Sequence, residues 1–257
     1  MITILASPFS RVFMNTCREL LACACIVLPL SVAAGPADYV YTPNVEYGER
    51  EIDFKIGSAR SSGQDRFSAG SVGFGYGVTE RWFTEIYAKY EKGGGDSTRF
   101  DAFEWENRFA LTEQGRYPFD MGFVIELERP RDRAEGYEVR LGPLFQTDWD
   151  RWQLNLNLLL ERHFRTEEES HTELGYQWQA RYLSSGKVDI GLQGFGELGR
   201  WRHWARSSEQ NHRAGPAVFG KANLGGRHVI KYNAAVLFGL TGASPDHTVR
   251  AQVEYEF

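Results

Sequence analysis

The sequence predicts an all-β chain: a closed antiparallel transmembrane β-barrel of about twelve strands, with short periplasmic turns and longer loops at the opposite end. Three observations carry this. Apolar and polar residues alternate one by one through most of the chain from Glu46 to Phe257. Residues two apart share a face of a strand, so each segment has one apolar face and one wet face. The connections alternate between short turns and longer stretches rich in charge, Gly and Ser. The tail His247–Phe257 alternates strictly, with Val249, Ala251, Val253, Tyr255 and Phe257 on one side, and it ends on an aromatic residue.

The amino end reads as an export signal, residues 1–34, ahead of the barrel, residues 35–257. An apolar run, Leu20 to Ala34, follows Arg11 and Arg18 and closes on Val32, Ala33 and Ala34 before Gly35. Small residues there suit a signal peptidase. The run is shorter than the roughly 20 residues of a spanning helix. Met14 is an alternative start for the same signal. Cys17, Cys23 and Cys25 all fall in this segment, so a processed chain has no thiol chemistry. The stretch before Cys23 is too short for a convincing lipoprotein signal.

The strands follow in order. Ile52, Phe54 and Ile56 alternate with Glu51, Asp53 and Lys55; Val72, Phe74 and Tyr76 alternate with glycines; Trp82, Thr84, Ile86, Ala88 and Tyr90 alternate with Glu85, Tyr87 and Lys89. The fourth to sixth segments set Phe103, Trp105 and Phe109, then Phe123, Ile125 and Leu127, then Val139 and Leu141, against Glu104, Glu106, Arg108, Glu126, Glu128, Glu138 and Arg140. The seventh sets Leu154, Leu156, Leu158 and Leu160 against Asn155, Asn157 and Glu161, so Leu156 should face lipid and Asn157 water or the lumen. Segments around Leu174–Tyr182, Val188–Leu198 and Ile230–Leu240 continue the pattern, and residues 212–224 show it least clearly.

Short connections at 78–81, 112–117, 147–150, 183–187 and 223–227 separate longer ones at 60–66, 92–99, 129–136, 165–171, 200–211 and 241–247. With both ends of the barrel periplasmic, Trp82, Tyr117, Phe119, Trp149, Trp152, Tyr255 and Phe257 gather near one rim, and Trp201 and Trp204 near the other. Amphipathic rings prefer a membrane interface. A soluble β-sandwich also alternates, but its wet face has no reason for dense charge at mid-strand. Pro143 and Pro216 each remove a ladder donor, so bulges or rim positions are expected there. Asn107 interrupts an apolar face, and Arg162 should sit at the outer rim.

The inner face carries more acids than bases. Glu104, Glu106, Glu126 and Glu128 should face one another on the fourth and fifth strands, with Arg108 as the nearby base. Together with Glu138 and Arg140 they are the candidate lumen-lining, cation-selecting set, because like charge along a narrow passage concentrates counter-ions. Twelve strands enclose more room than eight and less than a general porin. A narrow passage and a closed structural barrel are both compatible with this. Glu161, His163, His171 and Glu173 are weak metal-ligand candidates, since imidazole and carboxylate meet across a hairpin. No Ser/His or Asp/His set stands out, so an outer-membrane hydrolase is the lesser alternative and an enzyme is not expected. No cofactor is implied. A formal net charge of −5 argues against nucleic acid as a partner.

The tail, with Val253, Tyr255 and Phe257, resembles the closing strand and assembly signal of bacterial outer-membrane barrels. Gly75 to Trp82 and Gly239 to Pro245, continued through Phe257, resemble uncharacterised proteobacterial barrels assigned as transporters, among them the group named for a phenol-degradation (MetA) pathway. The resemblance implies uptake of a small solute and carries no solute-binding residues. The expected setting is the outer membrane of a Gram-negative bacterium, with its lipids, lipopolysaccharide and barrel-assembly machinery as partners and an unidentified small solute as cargo.

Overall fold

The computed structural model describes residues 35–257 apart from Glu168. The predicted signal segment, residues 1–34, lies outside the described residues. Twelve antiparallel strands run in sequence order and close on themselves, the first pairing with the last. They are β1 (Arg50–Arg60), β2 (Phe67–Thr79), β3 (Trp82–Lys92), β4 (Arg99–Ala110), β5 (Asp120–Pro130), β6 (Tyr137–Trp149), β7 (Trp152–Phe164), β8 (Glu173–Tyr182), β9 (Val188–Arg200), β10 (Asn211–Gly225), β11 (His228–Gly239) and β12 (His247–Glu256). Strands of 10 to 15 residues are the length a tilted strand needs to cross the hydrocarbon of a bilayer, about 9–11 residues.

The period-2 pattern decides which side faces in. Phe54, Ile56, Phe74, Ile86, Phe103, Trp105, Leu127, Leu156, Ile190, Val236 and Val249 are exposed on the outer wall, while Glu51, Asp53, Glu85, Glu104, Glu106, Glu126 and Arg250 are buried inside. An ordinary soluble domain would show the reverse. At the rim carrying both ends of the barrel, Tyr47, Tyr117, Phe119, Trp149 and Trp152 are exposed, and Trp201 and Trp204 are exposed at the loop rim.

Two-residue turns join β2 to β3, β6 to β7 and β10 to β11. The connection between β4 and β5 is the exception to the short-turn rule, because β5 starts at Asp120. Glu113–Arg116 forms a local turn, and Asp120 and Thr112 accept the main-chain N–H groups of Gly115 and Met121, which fixes a longer loop there.

Pro143 and Pro216 correct an expectation. Both sit mid-strand, with no bulge. Pro143 pairs in register with Phe123 of β5, and β6 keeps one register against β7 on either side of it, from Leu141↔Leu160 to Leu144↔Asn157. Pro216 behaves likewise between Leu192 of β9 and the β11 pairs Ala214↔Phe238 and Ala217↔Ala235. A strand residue directs its N–H to one neighbour only, so each proline leaves a gap on one side and the ladder on the other side is intact. Asn107 lies on the outer wall yet is buried: its Oδ1 accepts from Trp82 Nε1 and Thr84 Oγ1, both at 3.0 Å. Its amide is therefore paired within the wall. Arg162 is exposed near the loop end of β7, as expected.

Candidate functional site

The candidate site is the lumen, and its main occupant is the chain itself. Between Gly35 and Glu46 the backbone joins no strand. It runs through the barrel interior. Pro36 lies against Gly57 of β1, seven residues along from Arg50, and a Cβ there would meet the Pro36 carbonyl at 1.9 Å. Tyr41 is 2% exposed and packs with Val124, Leu144 and Leu159 of β5, β6 and β7. Val40 packs on a second apolar patch, Phe195, Ala217, Phe219, Ala235 and Leu237 of β9 to β11. Near the rim the Glu46 carbonyl lies where a Cβ on Gly77 would be, at 1.9 Å, before Arg50 opens β1.

Two phenols anchor this segment to the acidic side. Tyr39 donates to Glu106 Oε2 and Tyr41 to Glu126 Oε1. The two rings meet edge-on, with centroids 4.7 Å apart. Lys55 Nζ lies 3.3 Å above the Tyr39 ring and 3.7 Å from that of Tyr87, and ion-pairs with Asp53 at 3.1 Å. On the other side, Asn157 Nδ2 donates to the Tyr41 carbonyl and to Gln177 Oε1, each at 3.1 Å. Asn157 is 0% exposed. It faces the lumen as expected, and there the segment covers it.

The wall has two chemistries. Its ion pairs run from β1 through β7, Lys55–Asp53 and Arg108–Glu51 among them, and recur as Arg181–Asp189 at 2.6 Å on β8 and β9 and Lys231–Glu256 on β11 and β12. From β6 to β12 it carries amides that pair across strands, as Asn155 with Gln146 at 2.9 Å, Gln193 with Gln179 at 2.7 Å and Asn233 with Gln252 at 2.9 Å. Arg213 and Arg250 lie over the Phe195 ring, near 5.8 and 5.7 Å.

The acid quartet is placed as the sequence predicted, Glu104 opposite Glu128 and Glu106 opposite Glu126. Arg108 is the base these two strands supply, and the flanking strands supply two more. Lys89 bridges Glu104 at 3.0 Å and Glu128 at 2.5 Å, Arg108 Nε meets Glu106 at 2.8 Å, and Arg140 meets Glu126 at 3.3 Å. Arg108 also approaches Glu51 at 3.7 Å. With Tyr39 and Tyr41 added, every member of the quartet has a donor. The acids are therefore mostly compensated, and unrelieved repulsion is not the reason they are there.

Arg140 also holds Glu138 at 3.3 Å and Glu161 at 2.7 Å. Glu161 and His163 come together as predicted, but their companion is Glu138 from the neighbouring strand. His171 and Glu173 do not join that group. At the tail, Tyr255 pairs with Ile52 of β1 and Ile230 of β11, stacks on Phe257, and donates to or accepts from His228 Nδ1 at 2.8 Å, while Phe257 N–H donates to the Arg50 carbonyl at 2.9 Å.

Beside the segment a cavity of about 40 Å³ is bordered by Asp38, Arg140, Glu161, Glu173, Gln177, Phe195 and Glu197, among others. That is room for about two or three waters. Tyr39 and Tyr41 were missed by the sequence reading. Their signal was an aromatic pair in a stretch too long to be a bare linker to β1. Val124, Leu144, Leu159, Phe195, Phe219 and Leu237 were missed too; each is an apolar residue standing in the polar phase of its strand.

No protein-family model matches the chain, and no curated protein matches it in sequence. Solved structures do match in fold. The outer-membrane channel of the COG4313 group from Pseudomonas putida F1 superposes with a TM-score of 0.54 at 13% identity, over 87% of this chain and 99% of that one. The NanC porin superposes with a TM-score of 0.55 at 7% identity, over 80% of this chain and 98% of that one. At these identities the likeness is one of fold. The phenol-degradation group rests on the two short motifs alone.

Proposed function

We propose that this chain is an outer-membrane channel for small solutes, held shut at mid-depth by its own segment 35–49. The observation that carries the reading is the segment inside the barrel. It is fixed there by side chains, and up to Glu46 it joins no strand, so it can leave without breaking the wall. The exposed apolar outer wall and the aromatics at both rims support a bilayer setting, with lipid and lipopolysaccharide around the barrel. The fold shared with an outer-membrane channel and a porin supports the same reading.

A departing segment takes two hydroxyl donors from Glu106 and Glu126. The acid surplus of the β3–β7 wall then faces the passage, which favours cations. Glu104, Glu106, Arg108, Glu126, Glu128, Glu138 and Arg140 are the residues proposed to line it. The apolar patches around Phe195 and Leu144 leave room for solutes with an apolar part. The same filled lumen also fits a purely structural barrel. Liposome swelling with the refolded protein separates the two. Uptake of small solutes, with a cation preference in the reversal potential, supports the channel. Liposomes that stay sealed both around the correctly folded full chain and around a folded chain beginning at Glu46 favour the structural barrel, and anion preference removes the proposed role of the quartet.

A further inference from the structure

We propose that Glu138, Glu161 and His163 form a binding site for a divalent transition-metal ion of the zinc type at the loop end of the lumen. Glu138 and His163 stand opposite each other in register on β6 and β7, and Glu161 lies two residues along on the same face. One donor atom from each of the three lies within 4.8 Å of the others.

The supporting contacts aim these donors at one point. His163 Nδ1 meets the Glu135 carbonyl at 3.4 Å. A carbonyl can only accept, so Nδ1 carries the proton, and Nε2 is turned towards the carboxylates. Arg140 takes one oxygen of each acid: Oε1 of Glu138 at 3.3 Å, and Oε2 of Glu161 at 2.7 Å. Glu138 Oε2 is 3.6 Å from His163 Nε2. That is long for a hydrogen bond. Two ligands about 2.05 Å from a tetrahedral zinc are about 3.4 Å apart. Glu161 Oε1 and His163 Nε2 are both shut off from solvent and make no hydrogen bond.

A carbonyl behind the imidazole and a cation behind each carboxylate are the outer contacts that orient metal ligands. Two carboxylates offset the charge of a divalent ion, the imidazole adds a nitrogen donor, and three protein ligands leave a fourth position for water or a solute group. The other carboxylate groupings lack this arrangement. Glu49, Glu51 and Glu256 have no histidine and face Lys231 and Arg108, and Glu104, Glu106 and Glu126 face Lys89, Arg108, Arg140 and the two phenols.

The test is calorimetric titration of Zn²⁺ into the refolded full chain made without a histidine tag, with Ca²⁺ as comparison. One Zn²⁺ should bind per chain, with Ca²⁺ much weaker. His163→Gln, which leaves Arg140 and both acids in place, should weaken Zn²⁺ at least tenfold, and His171→Ala should leave it unchanged. Zinc X-ray absorption on the loaded protein should show an imidazole nitrogen among oxygen ligands. Absence of saturable Zn²⁺ binding overturns the proposal, as does undiminished binding by His163→Gln or a loss produced by His171→Ala alone. Binding is read on the folded barrel without any current, so a barrel that does not conduct leaves the result decisive.

Discussion

Tyr41 is the residue on which the interior turns. Its ring fills the space between Val124, Leu144 and Leu159, and its hydroxyl donates to Glu126. Tyr41→Phe keeps the ring and removes the donor, leaving Glu126 with Arg140 alone at 3.3 Å. A buried acceptor deprived of a partner costs about 1–3 kcal/mol. A urea titration of the refolded barrel should show a loss in that range, and an unchanged midpoint would mean the hydroxyl contact does not hold the segment. Leu156 and Asn157 are adjacent and point opposite ways. Leu156→Arg places a charge on the outer wall, at a cost of about 2–4 kcal/mol near the bilayer midplane. Asn157→Arg leaves the outer wall alone and displaces Tyr41, so its barrel should insert and conduct more readily. Equal destabilisation of the two, with no change in current, would contradict the assignment of faces. The sequence made the direction of each side chain legible here, because alternation is local. It could not show what stands opposite Asn157, because the Tyr41 carbonyl comes from 116 residues away.

Among the elements, the strands were the most legible part and the segment 35–49 the least. A strand in a barrel is written in its own alternation. Pro143 breaks no register, since only one of its two neighbours loses a bond, and that asymmetry is invisible without knowing which way the N–H points. Segment 35–49 has no period because its neighbours are side chains from many strands. The candidate site was half legible for the same reason. The acids of β4 and β5 were placed opposite one another correctly, but Lys89 of β3, Arg140 of β6 and the two phenols that compensate them come from elsewhere. At the tail, β12 closes the ring through Phe54↔Val253 and Ile52↔Tyr255. An unpaired closing strand leaves polar backbone facing lipid. On the proposed outer-membrane reading, Tyr255→Asp or removal of Phe257 should therefore abolish membrane insertion, checked as loss of heat-modifiable migration from membrane fractions. Normal migration of both variants would remove the proposed assembly role of the tail.

For the whole molecule, the wall and the interior separate two properties. The wall, closed by twelve continuous pairings, sets stability and insertion. The interior sets whether anything passes. Neutralising Glu104, Glu106, Glu126 and Glu128 to Gln should lower any cation preference, most visibly at low salt, where charges act beyond about 10 Å. Segment 35–49 is the proposed plug. Its most direct test is planar-bilayer conductance of the refolded full chain beside a chain beginning at Glu46, which keeps every strand. Small, infrequent openings are expected for the full chain and a larger, steady current for the shortened one. Equal conductance of two correctly folded barrels would contradict it.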